Sequence, residues 1–584
     1  MVYFFPEITA GQGMGHVHRV SLLSTRLGTD SAVLVPPDAA EPDHRRRVRE
    51  HIEAAGARVV EDLEDHTDGA IIFDRRHVRP EEVRALPPGL TVAGIDTAGP
   101  AREELDALLD TLPAGPIRRS RGRANESGVY LPRLPGKVRE SLPRVPERIL
   151  VTFGGEDAAQ LTEGTVTEIR RIGLLPGQSL TAVQGPLMTR QLNVRAEVLL
   201  APTDLIEHLA DYDLVITSYG ITAFEALAAG CRVVLVNPTR YHARLAAKAG
   251  LPRAGSGGIR RRELRRGLRD GEQLDAALAA GARPQAKELA DLVAQYRAAD
   301  QLGCPVCRRR RNRPLARMPG RSYFVCEDCG MVYLTAFSEN PIHYDEQYFF
   351  AEYRAQYGRT YLEDFDHIAG MGRRRLEIIE RLLRAPEGAP RILDVGCAYG
   401  PFLSAVAGAG YEPYGMDVSA QALAFVRQEL GLPAMEGAAG RARPDEHFSL
   451  PHFDVVTMWY VIEHIDALDE LLPWVADLLA PGGVFAFSTP SLSGISGRRD
   501  LPRFLERSPR DHRTVWSPRI ARKVLPRFGF TVRRIRSTGH HPERHRLGEA
   551  LPVLQPLLLW WSRLFRLGDT FEVYAVKRRR EETT

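Results

Sequence analysis

Four of the chain's six cysteines fall as CPVC (304–307) and CEDC (326–329), a C-x2-C-x18-C-x2-C spacing. Each CxxC turn can present two thiolates to one ion, and two such turns complete a tetrahedron. Sulfur ligands from Cys304, Cys307, Cys326 and Cys329 leave no position open for water, so the expected ion is a structural Zn2+ and not a catalytic one. Gly330 suits a tight knuckle after the second pair. The run RRRRNR (308–313) between the pairs either touches an anionic partner or is simply solvated.

A second chemistry-bearing stretch is RILDVGCAYGPFL (391–403), which reads as a strand, a glycine-bearing turn and the start of a helix. Such a turn lets the backbone approach a nucleotide closely. Asp417 follows 23 residues after Asp394, at the end of the strand EPYGMD. An acidic side chain there can take both ribose hydroxyls of an adenosine cofactor. FDVVTMWYVIEHI (453–465) and LLAPGGVFAFSTPS (478–491) continue the pattern.

A third stretch is AGQGMGHVHR (10–19), between a strand-like VYFF and a segment with Val20, Leu23 and Leu27 on one helical face. It lacks the lysine of a P-loop, and histidines at i and i+2 diverge on a helix, which argues against a shared metal. Its glycines and the helix N-terminus favour an anionic ligand. His18 reads as structural, whereas Arg19 could pair with phosphate or cap local structure.

The elements that must position these residues are parallel strands with helical crossovers. SAVLVPP, GAIIFD and TVAGID read as strands, with RRRVREHIEAAG and REELDALLDTL as helices between and after them. The rhythm restarts at RILVTFGG, SLTAVQG, AEVLLAP, DLVITS and CRVVLVNP, and again from about residue 345. The expected fold class is α/β: two Rossmann-like lobes (1–115 and 116–300), a small zinc ribbon (301–343) and a further Rossmann-like domain (344–584). With 584 residues the chain is too long for one core, and 44% apolar residues allow it to be globular throughout. Lys plus Arg (78) nearly balance Asp plus Glu (74), which argues against a dedicated nucleic-acid binder. The N-terminus reads as a strand and not a signal peptide, no apolar run spans a membrane, and the expected compartment is the cytoplasm.

Residues 391–491 resemble a class I S-adenosylmethionine-dependent methyltransferase. DVGCAYG is similar to that family's first motif, with Ala398 as its third small residue. The ribbon and YDEQYF (344–349) resemble a subgroup with an N-terminal zinc ribbon. The resemblance implies S-adenosyl-L-methionine as cofactor. Asp394, Gly396, Cys397 and Gly400 would line its methionine end, and Asp417 would hold the ribose. Trp459, counted with the cofactor-binding set, would follow the fourth strand with Tyr460 and His464 to face the reaction centre. A base is needed only if the acceptor starts as a hydroxyl. His464 and His512 are the candidates; the alternative for His464 is a histidine that packs against the cofactor and never accepts the proton.

Together with VTFGGEDAAQLT (151–162) and TSYGITAFEALAAGCRVVLVNP (217–238), the stretch at 10–19 resembles GT-B-fold nucleotide-sugar enzymes. The closest likeness is to the UDP-sugar hydrolase of the pseudaminic acid pathway; a related one is the N-acetylglucosaminyltransferase that makes lipid II. This implies His16 as catalytic or water-positioning residue. Gly13, Gly15, Arg19, Gly154, Gly155 and Gly220 would lie around the nucleotide sugar, and Glu225 on its ribose. Asp74 and Asp96 would sit at strand ends. Ile221 departs from the family's usual small residue.

The two resemblances imply a bifunctional enzyme of glycan or nucleotide-sugar metabolism. It would methylate a sugar hydroxyl and take a nucleotide-sugar or glycan partner. The alternative is methyl transfer to a lipid or quinone-like acceptor, permitted by VIEHI, beside a non-catalytic N-terminal module. A ribbon-guided nucleic-acid methyltransferase is disfavoured by the charge balance. LPVLQPLLLWWSRLFRLG (551–568) is expected either to touch a membrane surface peripherally or to form a helix that covers the pocket or packs on a partner.

Overall fold

The computed structural model describes all residues except 10–13, 64–67, 113–122, 187, 189, 203, 273, 276–284, 311, 338–353, 355–357, 384–387 and 580–584. YDEQYF and Gly13 therefore lie outside the described residues. Two compact units form: Met1–Leu302 with Arg317–Ser322, and Gly303–Ala316 with Tyr323–Thr584.

In the first unit, seven strands form one sheet: β1 (Val2–Pro6), β2 (Ser31–Leu34), β3 (Val59–Val60), β4 (Asp68–Asp74), β5 (Gly89–Ile95), β6 (Ala107–Asp110) and β7 (Glu126–Ser127). Their order is β3-β2-β1-β4-β5-β6-β7, and every pairing is parallel. After a short β8 (Tyr130–Leu131), six strands form a second sheet: β9 (Arg148–Val151), β10 (Ser179–Gln184), β11 (Glu197–Leu200), β12 (Leu214–Thr217), β13 (Arg232–Asn237) and β14 (Arg253–Ser256). Its order is β11-β10-β9-β12-β13-β14, again parallel. β15 (Lys287–Glu288) pairs with β8. Strands covered on both faces read as continuous apolar runs, and β13 is buried at all six positions. REELDALLDTL (102–112), expected as a helix from its leucine spacing, is not one. Ala107–Asp110 is strand β6, buried at all four positions and paired with β5, so two-sided burial overrides the helical spacing. Helix Leu161–Ile172 shows local control instead: Asp157 accepts from Leu161 N (2.9 Å) and Thr162 N (2.8 Å), and Gly173 at φ +83° ends the helix.

The second unit begins with the cysteine segment. Strands β16 (Asn312–Met318), β17 (Arg321–Cys326) and β18 (Val332–Ala336) are followed by β19 (Arg391–Val395), β20 (Glu412–Asp417), β21 (Ala434–Glu436), β22 (Phe453–Trp459) and β23 (Leu479–Pro490). β24 (Thr514–Val515), β25 (Phe530–Thr538) and β26 (Thr570–Lys577) complete the chain. A four-stranded sheet runs β16-β17-β18-β24. The large sheet runs β21-β20-β19-β22-β23-β26-β25, with β26 antiparallel to both neighbours and the other pairings parallel. The chain leaves β19 toward β20 on one side and later returns to place β22 on the other. Open α/β sheets bind ligands beyond the carboxyl ends of the strands at such a switch.

Helix Phe365–Glu380 packs close to helix Pro401–Gly408: a Cβ on Gly372 would lie 3.1 Å from Ala405 Cβ and from Phe402 Cδ2. It also delivers Arg375 to the sheet. Arg375 Nε donates to Glu572 Oε1 at 3.0 Å, and its guanidinium lies 4.0 Å from the Trp459 ring centroid. Tyr574 Oη donates to the other oxygen of Glu572 at 2.9 Å. Both Arg375 and Glu572 are buried. Without Arg375 the buried Glu572 keeps only the longer contact of Arg536 (3.5 Å) as a charged partner, so Arg375→Met should cost about 3 kcal/mol of unfolding free energy. Denaturant titration of the variant checks this, and an unchanged midpoint contradicts it.

Candidate functional site

The turn after β19 is unusually rich in left-handed backbone: Gly396 has φ +75°, Ala398 +46° and Gly400 +77°. A Cβ on Gly396 would lie 2.4 Å from Val461 Cγ2, in the segment after β22. Gly400 caps helix Pro401–Gly408, and a Cβ there would come within 2.9 Å of Leu430 Cδ1. Asp417, at the end of β20, accepts from Ala398 N (2.8 Å) and Ser419 N (2.9 Å), tying the turn to its neighbouring strand. Burial raises the Asp417 pKa despite these backbone donors. Asp394 accepts from Thr457 Oγ1 at 2.6 Å; burial pushes it up to about 7, against Thr457 and Arg375. The loop thus presents bare backbone between two buried carboxyl groups, which suits a cationic nucleoside cofactor.

Two residues expected in this set point elsewhere. The Cys397 side chain packs with Leu403, Leu423, Val426 and Ala434, so only its backbone belongs to the turn. Trp459 lies against Arg375 and stands edge-on to Phe402 at 5.3 Å, packing on the helix-covered side of the sheet. Its neighbour Tyr460, at φ +60°, is the one that is 43% exposed.

Beyond β21 and β22 lies a cavity of about 310 Å³, lined by Ala438–Arg441, His464–Ala467, Glu470, Asp511 and Arg513. His464 Nδ1 is 2.9 Å from Asp511 Oδ2. Burial opposes charge on His464, but the Asp511 hydrogen bond and the negative charges of Glu463 and Asp511 outweigh it, so its pKa is raised. His512 stands edge-on to His464 at 4.8 Å between ring centroids; burial, then the neighbouring His464, lowers it to about 3. Glu463 is buried and pushed up to about 7 by that burial. The two expected base candidates are therefore brought together, with opposite shifts. Asp511 and Glu463 are additions that the sequence reading misses. Their signals are adjacency alone, Asp-His at 511–512 and Glu-His at 463–464.

The four cysteine sulfurs converge within 4.8 Å of one another, with Cys304 Sγ to Cys329 Sγ at 3.3 Å and Cys307 Sγ to Cys326 Sγ at 3.6 Å. A tetrahedral ion with bonds of about 2.3 Å would space its sulfurs by about 3.8 Å, so this donor set fits such an ion. Gly330 N closes the second knuckle on Cys326 O at 2.9 Å.

In the first unit, His16 Nδ1 meets Asp74 Oδ1 at 2.7 Å. Arg19 is buried and donates to Asp74 Oδ2 (2.7 Å), Asp96 Oδ2 (2.7 Å) and Thr111 Oγ1 (2.8 Å). This guanidinium is engaged by two carboxylates, so neither the phosphate nor the capping expectation describes it. Burial opposes charge on Asp74, but Arg19 and His16 hold its carboxyl below the usual range. His18 is pushed down to about 4, by burial first and then by His51. Gly154 (φ +83°) and Gly155 lie in the turn after β9, and a Cβ on Gly155 would meet Met14 Cβ at 2.9 Å, beside Gly15 and His16. Gly220 precedes helix Ile221–Ala228, which carries Glu225, raised to about 7 by burial.

Residues 367–535 match the family model described as a methyltransferase domain. With the sheet order above, the C-terminal half is a class I, Rossmann-like methyltransferase, and the protein is an S-adenosylmethionine-dependent methyltransferase. The ubiquinone biosynthesis O-methyltransferase of Thiobacillus denitrificans is 27% identical over 168 residues, covering 27% of this chain and 72% of that protein. Its namesake in Bordetella avium is 34% identical over 118 residues, covering 20% of this chain and 48% of that protein. Among solved structures, the chain is similar to a SAM-dependent methyltransferase from Archaeoglobus fulgidus, at 18% identity and TM-score 0.28, covering 39% of this chain and 99% of that one.

These relatives correct the functional expectation. They are named for ubiquinone biosynthesis, not for glycan or nucleotide-sugar metabolism. The bifunctional glycan reading falls with its glycosyltransferase-like, GT-B and nucleotide-sugar terms, and so does the nucleotide-sugar or glycan partner. Peripheral membrane contact through 551–568 gains no support either: among the described residues no helix is long and apolar enough to cross a membrane. Helix Gln555–Leu564 does not line the cavity, and Trp560 is 61% exposed.

The geometry at Gly396 yields a direct test. Gly396→Ala adds a Cβ against Val461 and strains the left-handed backbone, so affinity for S-adenosylmethionine should fall at least about tenfold. Isothermal titration calorimetry measures it, with Gly408→Ala, where nothing lies within 4 Å, as the tolerated control.

Proposed function

We propose that this enzyme transfers a methyl group from S-adenosylmethionine to the oxygen of a hydroxylated, quinone-like acceptor seated in the cavity beside His464. The observation that carries this reading is the His464–Asp511 pair, 2.9 Å apart, at a cavity lined by the segments that follow β21 and β22. The names of the relatives support the acceptor class. The turn from Asp394 to Gly400, with Asp417, holds the cofactor; the ribbon (301–343) and the methyl-transfer domain (344–584) are its functional parts.

Bound S-adenosylmethionine supplies an electrophilic methyl group on a sulfonium. The chain's own residues do the rest. Val461, seated on Gly396, sets the approach of the cofactor turn to the segment bearing His464. With Nδ1–H donated to Asp511, the neutral imidazole keeps its lone pair on Nε2 and takes the acceptor's hydroxyl proton as oxygen attacks carbon. Holding the acceptor in line is the larger contribution, since displacement from a sulfonium needs alignment above all. His512, held neutral by burial, shapes the base's surroundings without competing for the proton.

His464→Ala should lower kcat/KM by about 100- to 1000-fold with a hydroxyquinone or hydroxyarene acceptor. The sign of the pH effect follows from its raised pKa: the base becomes available only above the ordinary histidine value of about 6.5. Asp511→Asn removes a contribution that raises it and leaves burial, which lowers it, so the acid limb of kcat/KM should move to lower pH. An acid limb that stays in place, or full activity in His464→Ala with such acceptors, contradicts the assignment.

We also place one Zn2+ on the four cysteines. Elemental analysis should find one equivalent per chain, and Cys326→Ser should lose it; a full complement in that variant counts against four-sulfur ligation.

A further inference from the structure

The two knuckles of the cysteine cluster each hold one wall of the acceptor cavity. The first, Cys304–Cys307, reaches helix Leu468–Leu478. Asp469 N donates to Pro305 O at 3.0 Å, Arg308 Nε donates to Asp469 Oδ2 at 2.6 Å, and Arg308 Nη2 donates to Glu470 Oε1 at 3.2 Å. Ala467 and Glu470 line the cavity at the start of that helix. The second knuckle, Cys326–Cys329, runs three residues later into β18. There Val332 lies opposite Val515 and Tyr333 opposite Thr514, and Leu334 N donates to Arg513 O at 2.9 Å. Asp511 and Arg513, just before β24, also line the cavity.

We infer that the four-cysteine centre is a clamp that sets the width of the acceptor cavity and the placement of Asp511 against His464, with Arg308 as a positioning residue. This rests on the cavity being the acceptor site. One ion shared by both knuckles fixes their separation; the first carries its wall through one main-chain bond and the Arg308 side chain, and the second carries its wall through main-chain pairing of β18. The cofactor turn at 394–400 is held by other contacts, through Asp417 and Val461. Metal occupancy should therefore be felt on the acceptor side and hardly on the cofactor side.

The test compares the holoenzyme, the chelated protein and Arg308→Ala, with Arg308→Lys as the conservative rescue. Arg308→Ala should keep its metal, raise the acceptor KM about tenfold and leave kcat within about twofold. S-adenosylmethionine affinity by calorimetry should change less than about twofold. Hydrogen–deuterium exchange should quicken at 466–470 in Arg308→Ala, and at both 466–470 and 511–515 after chelation. Arg308→Lys should recover part of the KM. Unchanged acceptor KM and unchanged exchange at 466–470 in metal-replete Arg308→Ala overturn the inference. If chelation also abolishes cofactor binding, the protein has unfolded, and metal-replete Arg308→Ala alone decides for or against the clamp. If exchange responds as expected but His464→Ala methylates normally, the clamp stands and the acceptor assignment of the cavity fails.

Discussion

Val461 occupies the space that a side chain on Gly396 would need, with its Cγ2 2.4 Å from the position of such a Cβ. That contact joins the turn after β19 to the segment after β22 across the point where the sheet reverses its order. Everything proposed for methyl transfer depends on it. The cofactor turn lies on one side of the contact and His464, three residues beyond Val461, on the other. The surrounding packing makes the contact stiff: β19 and β22 are adjacent parallel strands, Thr457 bonds Asp394 between them, and Asp417 pins Ala398 from β20. A turn held from both neighbouring strands can stay left-handed at three positions without a ligand to enforce it.

The same burial that rigidifies the site tunes its charges. Asp394 and Glu463 are both driven up to about 7 because each lies away from water. Neither is a fixed anion near neutral pH. A cationic cofactor beside Asp394 would favour the carboxylate and so strengthen its own binding as pH rises. The first unit solves the problem differently. Arg19 lies between Asp74 and Asp96, and Asp74 is held below its usual range although it is wholly buried. Charge pairing there stabilises ions that burial alone would neutralise, and it consumes the arginine that a ligand would otherwise meet.

What can be read from residue order follows from how local each signal is. The C-x2-C-x18-C-x2-C spacing needs only short-range turns, and the four sulfurs do converge. The strand–turn–helix at 391–403 is likewise a local pattern, and it appears as β19, the turn and helix Pro401–Gly408. REELDALLDTL misleads because leucines at 105, 108, 109 and 112 fit a helix as well as a buried strand; pairing with β5, a non-local fact, decides it. Cys397 and Trp459 sit in the expected segments, but the direction of a side chain depends on what packs around it. Asp511 is out of reach for the same reason: it joins His464 from 47 residues away, through a loop whose place is set by pairing with β18. The glycan expectation rests on short motif stretches of the first half, such as glycine-rich turns that many parallel α/β folds share, and it yields to the second half's relatives, which are named for ubiquinone biosynthesis.

The raised pKa of His464 looks at first like a handicap for a base, since it leaves fewer molecules with a neutral ring near pH 7. The balance depends on the acceptor. An aromatic hydroxyl resembles the tyrosine phenol, with a pKa near 10, and proton transfer to an imidazole of about 6.5 is uphill by several units. Each unit by which Asp511 and Glu463 raise the base narrows that gap, while the fraction of usable enzyme falls only once the raised value exceeds the working pH. Asp511 and Glu463 therefore both strengthen His464 as a proton acceptor. An aliphatic hydroxyl, far less acidic, leaves a wider gap for the same base to close. A raised His464 is thus compatible with the acidic, ring-borne hydroxyl proposed above as the methyl acceptor.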